Sequence, residues 1–190
     1  DSDGNIADGD QIMAVIASRW SEDGSLNGSG IATTVMSNLG LELFLNQRGI
    51  TMERTQVGDR YVVECMRKSG FNLGGEQSGH IILSDFSTTG DGLIAGLQFL
   101  AEIIRSERSS KELARVFEPV PQLLKNASYQ VGSDPLAKPN VIKAIKEAEA
   151  KLKNNGRLLI RKSGTEPLIR VMAESEDEEK MNVAVDSVVT

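Results

Sequence analysis

Pro119 and Pro121, one residue apart in Glu118-Pro-Val-Pro121, constrain this chain more than any other feature. Each fixes its own φ, lacks an N–H, and pushes the residue before it out of the helical region, so neither a helix nor a paired inner strand runs through them. The fold must break there. The 190 residues also exceed the ~100–150 of a typical single domain. Two domains are therefore expected, over 11–117 and 122–190, with 118–121 as the linker and 1–10 as a lead-in.

Before the break, short β-branched runs alternate with helical patterns. Ile31 to Met36 reads as a strand, and Leu39, Leu41, Leu43, Phe44 and Leu45 crowd a helix that stops at Gly49. Ile50 to Thr55 is a second strand, followed by a helix over Arg60 to Lys68 with Asp59 as its cap. Within that helix the pattern around Val62, Cys65 and Met66 packs inward. Ile81 to Leu83 is a third strand after a Gly-rich turn. Leu93, Ile94, Leu97, Leu100, Ala101 and Ile104 then repeat at three and four residues, which predicts a long helix burying that face. Such alternation implies an α/β domain with a mixed, largely parallel sheet.

Beyond the prolines the pattern predicts a strand over Gln122 to Val131, a helix over Asn140 to Leu152, strands over Arg157 to Arg161 and Ile169 to Ala173, and a closing helix. This is a smaller α+β unit. The acidic run Glu174, Glu176, Asp177, Glu178 and Glu179 reads as the solvated first turn of that last helix, where negative charge complements the dipole.

The formal net charge of −6 argues against a general grip on nucleic acid or acidic membranes, so an anion site must be local. One histidine and one cysteine exclude His/Cys zinc clusters and any intrachain disulfide. No apolar run approaches the ~20 residues that cross a bilayer. The opening Asp-Ser-Asp-Gly has no basic or apolar leader character and reads as a cut end, and a cytoplasmic location is expected.

Three segments could carry chemistry. Asp1 to Asp10 spaces its carboxylates like a calcium loop, but Ile6 and Ile12 stand where an EF-hand needs Gly and Glu. A turn at Asp3-Gly-Asn5 with Asp10 capping the next helix is the better reading. In Gly74-Gly-Glu-Gln-Ser-Gly-His80, glycines on both sides free the backbone to bring Glu76 and Ser78 against a polyol, since a carboxylate accepts two hydroxyls at once. A tight turn into the strand at Ile81 explains the same glycines. His80, directly after the loop, is either a satisfied core-side partner or a group for proton transfer. In Arg161-Lys-Ser-Gly-Thr-Glu-Pro167, a guanidinium, the hydroxyls of Ser163 and Thr165, and Gly164 in a backbone anion nest suit a phosphate monoester. Lys162 adds charge and Arg170 returns from the next strand. A plain strand-connecting turn is the alternative.

Taken in order, Val57-Gly-Asp-Arg-Tyr-Val62, Gly75-Glu-Gln-Ser-Gly-His80, Thr88-Thr-Gly-Asp-Gly92 and Arg161-Lys-Ser-Gly-Thr-Glu-Pro167 resemble the phosphohexomutase superfamily, most closely its phosphoglucosamine mutase branch. Phosphomannomutases tend to have Met where Gln77 stands, and another branch loses the histidine. The resemblance spans nearly the whole chain and implies the third and fourth domains of a four-domain isomerase, the fourth of TATA-binding-protein-like shape, with residues 1–10 ending the second domain. It implies interconversion of glucosamine 6-phosphate and glucosamine 1-phosphate through a hexosamine 1,6-bisphosphate, using a phosphoserine and Mg²⁺ held by domains whose motifs do not occur here. This chain alone is then expected to be inactive. By resemblance Glu76 and Ser78 hold sugar hydroxyls, His80 sits near the reacting end, and Arg161, Ser163, Gly164, Thr165 and Arg170 bind the non-reacting phosphate. Gln56 stands where some relatives carry a substrate-contacting lysine and is assigned no role. The implied partners are a sugar phosphate and the N-terminal domains of the same protein, with an oligomer left open. A phosphomannomutase or phosphoglucomutase, or a module that only binds hexose phosphates, are the alternatives.

Overall fold

A computed structural model describes residues 1–153, 156–164 and 166–189. It divides into two compact units, Asp1–Pro119 and Val120 onward.

The first unit is built on a four-stranded sheet. Helix α1 (Gly9–Glu22) leads into β1 (Gly30–Thr34), α2 (Leu39–Asn46), β2 (Thr51–Thr55), α3 (Asp59–Ser69), β3 (Leu73–Gly75), β4 (Ile81–Leu83), α4 (Gly92–Ser106) and the short α5 (Ser110–Leu113). The strand order is β2-β1-β3-β4, with β1 parallel to β2 and β3, and β4 antiparallel to β3. This is the mixed, largely parallel sheet expected. Strand β3 falls where a Gly-rich turn is expected, since Leu73-Gly-Gly75 has little strand propensity of its own.

Strand β1 is buried along its whole length because both sheet faces are covered. On one side Ile31, Leu73 and Ile81 pack with Met13, Ile16 and Trp20 of α1 and Leu41 and Leu45 of α2. On the other, Ala32 and Ile82 meet Val62 and Met66 of α3. Cys65 is half-buried, and its Sγ donates to Glu53 at 3.2 Å. Burial and the neighbouring carboxylate push its thiol up to about 11. The chain end of the unit is clamped to α1: Gln11 donates from Nε2 to the Phe117 carbonyl and accepts the Val116 N–H, both at 2.9 Å.

Two helix starts differ from expectation. Asp8, not Asp10, caps α1, accepting the Gln11 N–H at 3.0 Å. Asp10 lies inside the helix, fully buried, and accepts the Asn38 N–H at 2.8 Å. Asp59 is the first residue of α3 rather than its cap, a place where its charge still favours the helix dipole. Most of the stripe expected to be buried on α4 faces outward: Leu93, Leu97, Leu100, Ala101 and Ile104 are exposed, while Ile94 and Ala95 pack on the core. Gln98, Glu102 and Arg105 recur at the same spacing on the side of Ala95, where Glu102 pairs with Arg19 of α1 at 3.6 Å, so the periodicity marks two faces and it is the more polar one that meets α1.

The second unit holds a three-stranded antiparallel sheet, β5 (Gln122–Ser128), β6 (Gly156–Lys162) and β7 (Leu168–Ser175), in the order β5-β7-β6. Helices α6 (Pro139–Leu152), with Pro139 at its first turn, and α7 (Glu178–Val189) pack Ala148, Leu152, Met181, Ala184 and Val185 against Ile169, Val171 and Ala173. Glu178 and Glu179 do occupy the first turn of α7. Glu174 does not belong to that solvated turn. It is fully buried on β7, held by Arg157 of β6 at 2.6 and 3.1 Å. Among the described residues no helix is long and apolar enough to cross a membrane.

Candidate functional site

Residues 76–80 form the loop of a β-hairpin between β3 and β4, just past the carboxyl end of a parallel strand, where open α/β sheets bind ligands. The Glu76 N–H bonds to the His80 carbonyl at 3.0 Å and the Gly79 N–H to the Glu76 carbonyl at 2.9 Å. Gly79 has φ 96, which a residue with a Cβ rarely adopts. Gly74 and Gly75 serve a different end from the one their sequence suggested. Both are buried in β3, where a Cβ on Gly74 would meet Met66 Sδ at 2.7 Å and one on Gly75 the His80 carbonyl at 2.7 Å. They allow close packing rather than freedom.

The loop brings Glu76, Ser78 and His80 together. Glu76 is largely buried, and its Oε1 accepts the Gly58 N–H at 2.9 Å, a charge-assisted bond that fixes the carboxylate. Ser78 Oγ lies 3.3 Å from Glu76 Oε2 and 3.1 Å from His80 Nδ1. If Ser78 donates to Glu76, Nδ1 carries the proton donated to Ser78 and Nε2 is left to face a ligand. The His80 side chain is 69% exposed, so it is not a satisfied core histidine. The Glu76 carboxylate keeps lone pairs for further donors, which suits vicinal hydroxyls.

Two residues seat this loop and were missed as such. Gly58, with φ 127, presents its N–H to Glu76 from the turn after β2; the Val57-Gly-Asp59 turn was visible in the sequence, its partner was not. Gly9 donates to the Gln77 carbonyl at 2.9 Å, and a Cβ there would stand 2.1 Å from the Glu76 carbonyl oxygen. Asp91 caps α4 through the Leu93 and Ile94 N–H groups, and its own N–H bonds to the Ile81 carbonyl at 3.1 Å, which fixes the Thr88–Gly92 segment beside the strand that follows His80. Gln56 is exposed at the end of β2.

In the second unit Arg161 and Arg170 are direct cross-strand partners on β6 and β7. They share the sheet face opposite the helices, because Ile160, Ile169 and Val171 point into the helical core. Among the described residues no carboxylate pairs with either arginine. Lys162 is paired with Asp134 at 2.9 Å, so it is not part of a free cationic cluster. The Ser163 N–H is likewise spent on the Leu168 carbonyl at 2.7 Å and cannot contribute to a backbone nest, although its hydroxyl remains. Gly164 is exposed and outside the left-handed region, and nothing lies near where its Cβ would stand. Thr165 lies outside the described residues.

The lead-in forms a turn closed by the Gly4 N–H on the Asp1 carbonyl at 3.1 Å, with Asp1 Oδ1 taking the N–H groups of Asp3 and Asn5. Among the described residues no group of three or more His, Cys, Asp or Glu side chains could hold a metal ion.

Comparison with known proteins agrees with this architecture. The phosphoglucomutase/phosphomannomutase alpha/beta/alpha domain III matches residues 8–120, and the C-terminal domain of the same family matches 105–190. The chain is 66% identical over 186 residues to a phosphoglucosamine mutase of Ruegeria pomeroyi, covering 98% of this chain and 42% of that protein. It is 62% identical over 189 residues to one of Paracoccus denitrificans, again spanning 42% of the relative's length. Among solved structures, N-acetylphosphoglucosamine mutase of Aspergillus fumigatus in complex with GlcNAc-6P and magnesium superposes with a TM-score of 0.76 at 18% identity. That match covers 97% of this chain and 46% of the other, and at this identity it speaks to fold alone. With both units matched in order, the chain belongs to the phosphoglucomutase/phosphomannomutase family, as its domain III and C-terminal domain.

Proposed function

We propose that this chain is the substrate-holding part of a phosphoglucosamine mutase, an isomerase that interconverts glucosamine 6-phosphate and glucosamine 1-phosphate through a bisphosphate in the cytoplasm. The observation that carries the reading is the convergence of Glu76, Ser78 and His80 on one rigid loop, in a chain 60–66% identical to proteins of that name. Glu76 and Ser78 grip adjacent sugar hydroxyls, and His80 reaches toward the reacting end. Arg161, Arg170, Ser163, Gly164 and Thr165 hold the phosphate that does not react, and the unneutralised Arg161–Arg170 pair supports this. Mg²⁺ finds no carboxylate cluster among the described residues; in this reading it and the phosphoserine reside in the remainder of the relatives' length.

The test uses the full-length protein. Removing a hydrogen bond to a charged group costs roughly 1.5–3 kcal/mol, so Glu76→Ala should lower kcat/KM for glucosamine 6-phosphate by about one to two decades, and Ser78→Ala by less. Unchanged kinetics would return Glu76 to a purely structural turn. Preference for mannose or glucose phosphate over glucosamine phosphate would move the chain to another branch of the family.

A further inference from the structure

The first unit contains a cavity of about 220 Å³ at the other end of α1 from the sugar loop. Gly9 seats that loop, whereas Ser18 and Arg19 line the cavity, and the helical rise separates Gly9 from Ser18 by about 14 Å. The two places are distinct.

The cavity has an unusual balance for an acidic chain. Arg19, Arg48, Arg108 and Arg115 face it, against Glu22 and Glu102. Arg19 is already engaged by Asp23 at 2.9 Å and Glu102 at 3.6 Å, which leaves three exposed guanidiniums opposed by Glu22. Two of these are held in place. Arg48 stacks over the Phe44 ring, 3.6 Å from its centroid, and donates to the Phe44 carbonyl at 3.1 Å. Arg108 donates to the Glu112 carbonyl at 3.2 Å, and both retain further N–H groups.

In the same lining, Ser18 Oγ and Arg19 Nε are buried without a hydrogen-bond partner in the protein, and Glu102 Oε2, also buried, has only its 3.6 Å ion-pair contact with Arg19 and no hydrogen bond. They comprise a hydroxyl, a donor and an acceptor. A group that both donates and accepts would satisfy all three, and that describes the hydroxyls of a polyol. A fork of arginines around the rim describes a phosphate.

We propose that this cavity is a second ligand site, which takes a small phosphorylated polyol or sugar with its phosphate on Arg48, Arg108 and Arg115 and its hydroxyls on Ser18, Arg19 and Glu102. The site does not depend on the assignment of the Glu76 or Arg161 loops.

The test is an NMR titration of the 190-residue chain carrying Arg161→Ala, which removes the other anion site, with glycerol 3-phosphate and separately with inorganic phosphate. Glycerol 3-phosphate should shift the Arg19 Nε–H and the Ser18 and Val116 amides along one saturating isotherm, several-fold tighter than inorganic phosphate. The double variant Arg108→Ala/Arg115→Ala, both exposed side chains outside the core, should weaken that binding by about tenfold or more. Equal affinity for the two ligands would overturn the polyol site, as would silence at Arg19, Ser18 and Val116 at tens of millimolar. Because shifts at Glu76–His80 are read in the same spectra, failure here is distinguishable from failure of the sugar loop.

Discussion

Arg161 and Arg170 stand opposite one another across β6 and β7, two like charges in register on one face of the sheet. The Arg170 Nε is buried with no hydrogen-bond partner in the protein. Like charges directly opposite cost up to ~1 kcal/mol, and an anion bound between them reverses the sign. Arg170→Met should therefore raise stability by several tenths of a kcal/mol in phosphate-free buffer, while abolishing the stabilisation that phosphate confers on the parent. At a hundredfold excess over Kd that stabilisation is about 2.7 kcal/mol. Thermal unfolding with and without phosphate checks both halves, and a phosphate response that survives in Arg170→Met would remove Arg170 from the site.

Gly9 and Gly164 should respond oppositely to the same change. A Cβ on Gly9 would meet the Glu76 carbonyl at 2.1 Å, so Gly9→Ala must displace the sugar loop or α1. Overpacking of that kind costs ~1–3 kcal/mol. Gly164→Ala meets open space and should stay within ~0.5 kcal/mol of the parent. Urea unfolding, followed by Trp20 for the first unit and by amide exchange for the second, decides it.

Burial pushes the Asp10 carboxyl up to about 6 from its ordinary 3.8, against the opposing Asn38 N–H. Between those values the folded chain holds the proton more firmly than the unfolded one, so this group's contribution to stability is full below pH ~4 and falls as pH rises through about 6. Asp10→Asn should abolish that decline and stabilise the first unit at neutral pH by about 2–3 kcal/mol. Trp20 fluorescence in urea at pH 4.5 and 7.5 measures it; an equal gain at both pH values would point to packing instead of ionisation.

The buried Arg157–Glu174 pair is a structural device of the second unit. Glu174→Leu alone strands a guanidinium and should cost about 3 kcal/mol or more, whereas Glu174→Leu with Arg157→Met should recover most of it. Protection of the β6 and β7 amides reports the outcome, and additive losses in the double variant would contradict the account.

What the chain spells locally was legible without coordinates. The proline pair divides it, the three-and-four spacing marks its helices, and Glu76, Ser78 and His80 lie within one five-residue loop whose closure is a local event. The Arg161–Arg170 relationship was also within reach, since a short connection between two strands returns the second beside the first. Tertiary structure decided what depends on partners distant in sequence. Asp10 reads as a helix cap and is a buried carboxyl with a raised pKa because the start of α2 closes over it. Glu174 reads as surface charge and is a buried ion pair because Arg157 lies opposite. The apolar stripe of α4 reads as an inward face and points outward because α1 meets the side that carries Ala95 and Glu102. Gly58 and Gly9 acquire their roles only when β2 and α1 arrive at the Glu76 loop. Periodicity reports the angle between side chains on one element, while burial and ionisation depend on which other element occupies the space beside it, and that is set by the packing of the whole unit.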